Sequence, residues 1–108
     1  MDSYTTPEIL REVEHERDRQ DAKWGQQDHL SVHPLAWYDI ASEGDAKNSC
    51  EAATKAKQLS WADIAIEELS EAIFAEDDDA RREELVQLAA VAVAWIACID
   101  RRNASASD

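Results

Sequence analysis

From Leu85 to Ile99 the chain runs for 15 residues with one polar side chain, Gln87. No other stretch limits the fold as strongly. A bilayer-spanning helix needs about 20 apolar residues. This run is too short for that, and it reads as a helix apolar nearly all round that must sit at the centre of a bundle. The rest of the chain agrees. Gly and Pro occur twice each, strong helix formers are abundant, and no segment alternates apolar and polar residues between turns as a hairpin would. The expected class is all-α: a four-helix-type bundle in one domain over residues 1–102, followed by a disordered polar tail, Asn103–Asp108.

Local signals divide the chain further. Thr6-Pro7-Glu8 opens a first helix that runs to about Lys23 or Trp24, with Thr as cap and Pro at the first helical position. Its apolar content is thin (Ile9, Leu10, Val13), and Glu14–Asp21 is almost wholly polar, so this helix needs a partner surface, a ligand or many charge pairs. Gly25–Pro34 is a loop, Leu35–Ser42 a short helical piece, and Ala46–Gln58 a second helix. Ser60, with Asp63 three residues on, caps a third helix ending near Ala75. Glu76–Asp79 is the turn, and a fourth helix spans about Arg81–Arg102.

The formal net charge of -13 repels phosphate backbones and anionic lipid, so direct nucleic-acid and membrane binding are excluded as leading readings. It does not exclude nucleotides, because divalent cations bridge carboxylates to phosphates. Cys50 and Cys98 lack metal-site spacing, and Cys98 reads as a buried small residue. His29 and His33 have ligand-like spacing, but the loop and Pro34 argue against zinc. No leader pattern opens the chain, and a reduced cytoplasmic setting is expected.

The chemistry concentrates on helices three and four. At 100° per residue, Ala62, Ile66, Leu69 and Ile73 share one side of helix three. Glu68 and Glu71 lie roughly opposite, beside Trp61 and Ile64. A solvated face would not carry that Trp and Ile, so the helix is expected to pack on two sides. A turn of about five residues makes helices three and four antiparallel neighbours. Counting at about 1.5 Å per residue sets Glu71 level with Glu84, and Glu68 level with Gln87. Three carboxylates and an amide at one level must reach solvent or be neutralised by a cation, and Mg²⁺ suits hard oxygen ligands that bridge to phosphate.

The pattern Glu67-Glu68-Leu69-Ser70-Glu71, a short gap, then Glu84-Leu85-Val86-Gln87 resembles the signature of the MazG-like, all-α nucleoside triphosphate pyrophosphohydrolases, Glu-Glu-x-x-Glu followed by Glu-x-x-Asp. The wider run Arg82–Ile96 is similar to a short single-domain branch of actinobacteria and their phages. Asp18-Arg19-Gln20-Asp21-Ala22-Lys23-Trp24-Gly25 resembles the entry segment of related short proteins. The resemblance spans residues 12–102. It implies a Mg²⁺-dependent (or Mn²⁺-dependent) enzyme that cleaves a (d)NTP between the α and β phosphates to give a (d)NMP and pyrophosphate. By position it implies that Glu68, Glu71 and Glu84 are metal ligands with Gln87 at the fourth place, and that Glu67 or Glu68 takes a proton. Gln87 departs from the pattern: an amide oxygen can coordinate, but it brings no charge and cannot act as a base. A non-catalytic nucleotide-sensing or protein-interaction module on the same bundle is therefore the alternative.

Around this centre several residues carry two readings each. Trp24 either stacks a base or latches onto the bundle. Gln20, Asp21 and Lys23 either read base and phosphate or are solvated surface. Arg81 and Arg82, at a helix N-terminus where cations are disfavoured, either meet phosphates or pair with Glu76–Asp79. The two-sided third helix and the thin first one predict assembly with copies of the same chain, as a homodimer or tetramer.

Overall fold

The computed structural model describes residues 5–32, 52 and 59–106. Three helices, α1 (Thr6–Trp24), α2 (Trp61–Ile73) and α3 (Asp78–Ala106), account for most of them. Leu30 and Ser60 form a single isolated parallel bridge. The all-α class holds. The expected helices over 35–42 and 46–58, with Cys50 and His33, lie outside the described residues, Ala52 excepted.

The central helix is α3, and α1 and α2 each pack on it but not on each other. Its buried side is Ala90, Val91, Ala94 and Cys98, with Trp61 of α2 closing the same core. Small side chains on that side let the flanking helices approach closely. The opposite stripe, Leu85, Val93, Ile96 and Ile99, is 38–58% exposed. No described helix is long and apolar enough to cross a membrane.

Several ends differ from expectation. Thr5 rather than Thr6 is the N-cap of α1, with extended backbone and no side-chain cap bond. Gly25 stops that helix at φ +66, with its N–H on the Asp21 carbonyl. The last helix begins at Asp78, inside the expected turn, because Asp77 Oδ1 accepts from the Ala80 N–H at 2.8 Å and caps it. It continues to Ala106, into the stretch expected as a disordered tail. On α2 the side facing α3 carries Trp61, Ile64 and Ala65, while Ile73 is 48% exposed. On the other side Ala62 is buried, Ile66 and Leu69 are partly buried, and only Ile73 is exposed, so both apolar sides of the helix are covered over most of its length.

The polar helix α1 is held by charge and amide groups. Arg82 donates to both carboxylate oxygens of Glu12, at 2.9 and 2.5 Å. Besides Val13, its buried residue is Gln20. The loop after α1 is fastened to the far end of α3. There Arg101 reaches Asp28 at 2.9 Å and the Gln27 carbonyl at 3.1 Å, Arg102 reaches the His29 carbonyl at 2.7 Å, and Trp95 Nε1 donates to Ser31 Oγ at 2.9 Å.

Candidate metal and nucleotide site

The start of α2 is set by a complete capping box. Ser60 Oγ accepts from the Asp63 N–H at 3.2 Å, and Asp63 Oδ2 accepts from the Ser60 N–H at 2.9 Å. The first turn also donates outward: the Trp61 and Ala62 N–H groups reach the Leu30 and Ser31 carbonyls at 2.8 and 3.0 Å. With its start and rotation set, α2 carries Glu68 and Glu71, one turn apart, to the same patch as Glu84 of α3. One carboxylate oxygen from each of the three lies within 4.8 Å of the others.

The patch is partly buried and short of hydrogen-bond donors. Glu68 Oε2 and Glu84 Oε2 are buried with no hydrogen-bond partner. Burial, with the nearby Glu84, Glu67 and Glu16 carboxylates adding to it, pushes Glu68 up to about 7. Burial, a hydrogen bond with Glu84 and the Glu68 charge push Glu71 up to about 8. Crowded carboxylates hold protons when nothing else neutralises them. Three hard oxygen donors, on a patch that also holds an unpartnered buried oxygen on each of Glu68 and Glu84, fit a divalent cation.

Where α1 and α2 fail to meet, α3 floors a cavity of about 270 Å³. Glu67 and Glu68 form its acidic end, and Trp61 and Ile64 continue the wall on α2. Trp24, Gln20 and Glu16 form the α1 side, and Gln87 and Val91 the floor. The levels counted from the sequence reappear as two pairs. Glu68 and Gln87 share this cavity, and Glu71 and Glu84 share a second opening of about 450 Å³ beside the α2–α3 turn. The carboxylate patch therefore sits between two openings.

The flanking residues separate. Gln20 and Trp24 line the cavity. The Lys23 ammonium instead lies 4.5 Å from the Trp24 ring centroid. Arg81 is engaged with the end of α2, donating to the Ala72 and Ala75 carbonyls at 3.0 and 3.1 Å and pairing with Asp78. Neither cation is among the residues lining the cavity. Glu16 and Gln27 do line it, and sequence reasoning missed both. Glu16 had a signal: it stands four residues before Gln20, on the same helix face. Gln27 had none, because a loop has no periodicity to read.

Comparison of the chain with protein-family models, with curated proteins and with solved structures finds no match.

Proposed function

We propose that this chain is a Mg²⁺-dependent nucleoside triphosphate pyrophosphohydrolase of the MazG-like kind, converting a (d)NTP to a (d)NMP and pyrophosphate. The observation that carries the reading is the meeting of Glu68, Glu71 and Glu84, one carboxylate oxygen from each within 4.8 Å of the others, with Glu68 also lining a cavity that has two Trp side chains in its wall. The three carboxylates would hold the cation. When bound, it supplies positive charge to the phosphates and lowers the pKa of a coordinated water. The chain's own part is to place the nucleoside. Trp24 and Ile64 offer planar and apolar surface to a heterocycle, and no Lys, Arg or His is among the described residues lining the cavity. That lack suits an uncharged base there and leaves the phosphates to the cation. Glu67, in the wall beside Glu68, is the carboxylate left to accept a proton.

Assembly with other copies of the chain belongs to the same proposal. The exposed stripe Leu85–Ile99 is the surface that supports it, and a cytoplasmic setting goes with it. A second reading has a specific observation behind it. Gln87, in the floor of the cavity, supplies an amide where the resembled family has Asp, which favours a nucleotide-sensing module without turnover.

A pyrophosphate-release screen over canonical, deoxy and modified NTPs with Mg²⁺ and Mn²⁺ tests the proposal. Release with at least one NTP, lost in Glu71→Gln, is the expected result. A folded protein that turns over none of them, while binding nucleotide, leaves the sensing module.

A further inference from the structure

The exposed stripe of α3 has a repeat of its own. Leu85, Ala89, Ala92, Ile96 and Ile99 follow one another at intervals of four, three, four and three residues. An average step of 3.5 is the repeat by which two helices keep one seam in mutual contact over successive turns. At about 1.5 Å per residue the seam runs for about 21 Å. Leu85, Ile96 and Ile99 are 47%, 58% and 38% exposed, Ala92 is exposed and Ala89 half-buried. Val93, 46% exposed, widens the stripe along one edge. The side of α3 that packs on α2 is Val91, Ala94 and Cys98, so the described helices leave the seam open. No charged side chain stands between Leu85 and Ile99, in a chain that carries 24 acidic residues and a net charge of -13. Two copies therefore approach along this stripe with less repulsion than elsewhere.

We infer that a second copy of this chain packs on the seam with its α3 antiparallel, about a two-fold axis beside Ala92. The inference rests on the assembly reading above, not on the nucleotide one, and adds to it the direction and the register. Leu85 and Ile99 each stand seven residues from Ala92. Antiparallel pairing therefore sets Leu85 against Ile99 of the partner subunit and seats Ile96 over the space at the partner's Ala89, and the two-fold repeats both contacts. Small residues beside the axis let the two backbones approach. A parallel pair fits worse, because it sets each residue against its own copy. Ala89 and Ala92 then leave a gap, Ile96 and Ile99 hold the helices apart, and Arg82, the next seam position, meets the partner's Arg82. The antiparallel pair instead brings the partner's Asp100 to the Arg82 end and opposes the two helix dipoles. A contact one helix wide falls short of the roughly 1,600 Å² of a standard interface, so the pair exchanges with monomer. Glu84 lies eight residues from the axis, which places the two copies of Glu84 about 24 Å apart along the helices. Each carboxylate patch is thus complete within one chain.

The test is oxidative cross-linking of the full chain in a Cys50→Ser background, where the remaining native thiol, Cys98, is 1% exposed. Ala92→Cys, beside the axis, should link to itself, and Val93→Cys replaces it if that variant does not fold. Leu85→Cys and Ile99→Cys should each fail to link alone, because like positions stand about 21 Å apart along the pair, far beyond disulfide reach. Mixed, the two should link at least about tenfold faster than either alone. Sedimentation of the unsubstituted chain should show monomer and dimer exchanging with concentration. Self-linking of Leu85→Cys and of Ile99→Cys, with no gain on mixing, overturns the antiparallel pairing. A dimer in sedimentation whose folded Ala92→Cys and Val93→Cys forms both stay unlinked overturns the seam and leaves assembly through another surface. Monomer at every concentration overturns the inference and the assembly reading together.

Discussion

Cation binding at the carboxylate patch should be tied to proton release, and the size of the effect follows from its two raised carboxyls. Glu68 titrates at about 7 and Glu71 at about 8. At pH 7 the two together hold roughly 1.4 protons, falling to roughly 0.6 at pH 8 and roughly 0.1 at pH 9. A divalent cation requires both groups ionised. Binding should therefore release roughly 1.4 protons per site at pH 7 and almost none at pH 9, and apparent affinity should be roughly a thousandfold weaker at pH 6 than at pH 9. Stability without cation moves the other way. Both groups titrate above their ordinary value of 4.5, so the folded chain binds more protons than the unfolded chain over the interval between. Their contribution is full below about pH 4.5 and is lost as pH rises through about 7 and 8. The cation-free Tm should thus fall from pH 5 to pH 9 on their account, and saturating Mg²⁺ should recover it. Titration calorimetry of Mn²⁺ in two buffers of different ionisation enthalpy measures the proton count, and scanning calorimetry the Tm. Binding with no proton released at pH 7, or affinity that is flat from pH 6 to 9, would remove this patch as the cation site.

Glu71→Gln should weaken Mn²⁺ binding by at least about tenfold and end any pyrophosphate release, yet raise the cation-free Tm at pH 8, because it removes a charge repelled by Glu68 and Glu84. An isotherm and a thermal melt on one preparation check both signs. Gln87→Asp should tighten Mn²⁺ binding and raise any turnover, while lowering the cation-free Tm at pH 8 by adding a carboxylate next to Glu68. Ser60→Ala removes the side-chain half of the capping box and should cost about 1 kcal/mol in urea unfolding. Ile96→Glu places a charge in the exposed stripe of α3 and should shift the assembly toward monomer in light scattering, with helicity unchanged.

Much of the fold is written locally. The Leu85–Ile99 run makes α3 central whatever surrounds it, because a helix apolar on nearly all sides has nowhere else to go. Ser60 and Asp63 specify a helix start through bonds three residues apart. The short turn after Ile73 forces α2 and α3 to be antiparallel, and a helical rise then sets Glu71 against Glu84 and Glu68 beside Gln87 by counting alone. Rotation about the helix axis was beyond local reading. Two sides of α2 are apolar, one with Ala62, Ile66, Leu69 and Ile73 and one with Trp61 and Ile64, and local pattern does not say which of them meets α3; Trp61, Ile64 and Ala65 do, because one large ring packs with Val91, Ala94 and Cys98 and fills the space that small residues leave. Helix ends depended on single caps, as at Asp77. The cavity wall is the clearest case of tertiary decision. Gln20 and Glu16 face Gln87 across 67 or more residues of chain, and Gln27 joins them because Arg101, near the end of α3, holds its carbonyl. Residue types and spacing settle which carboxylates meet. Only packing decides what stands beside them, because the gap between α1 and α2 exists in neither helix alone.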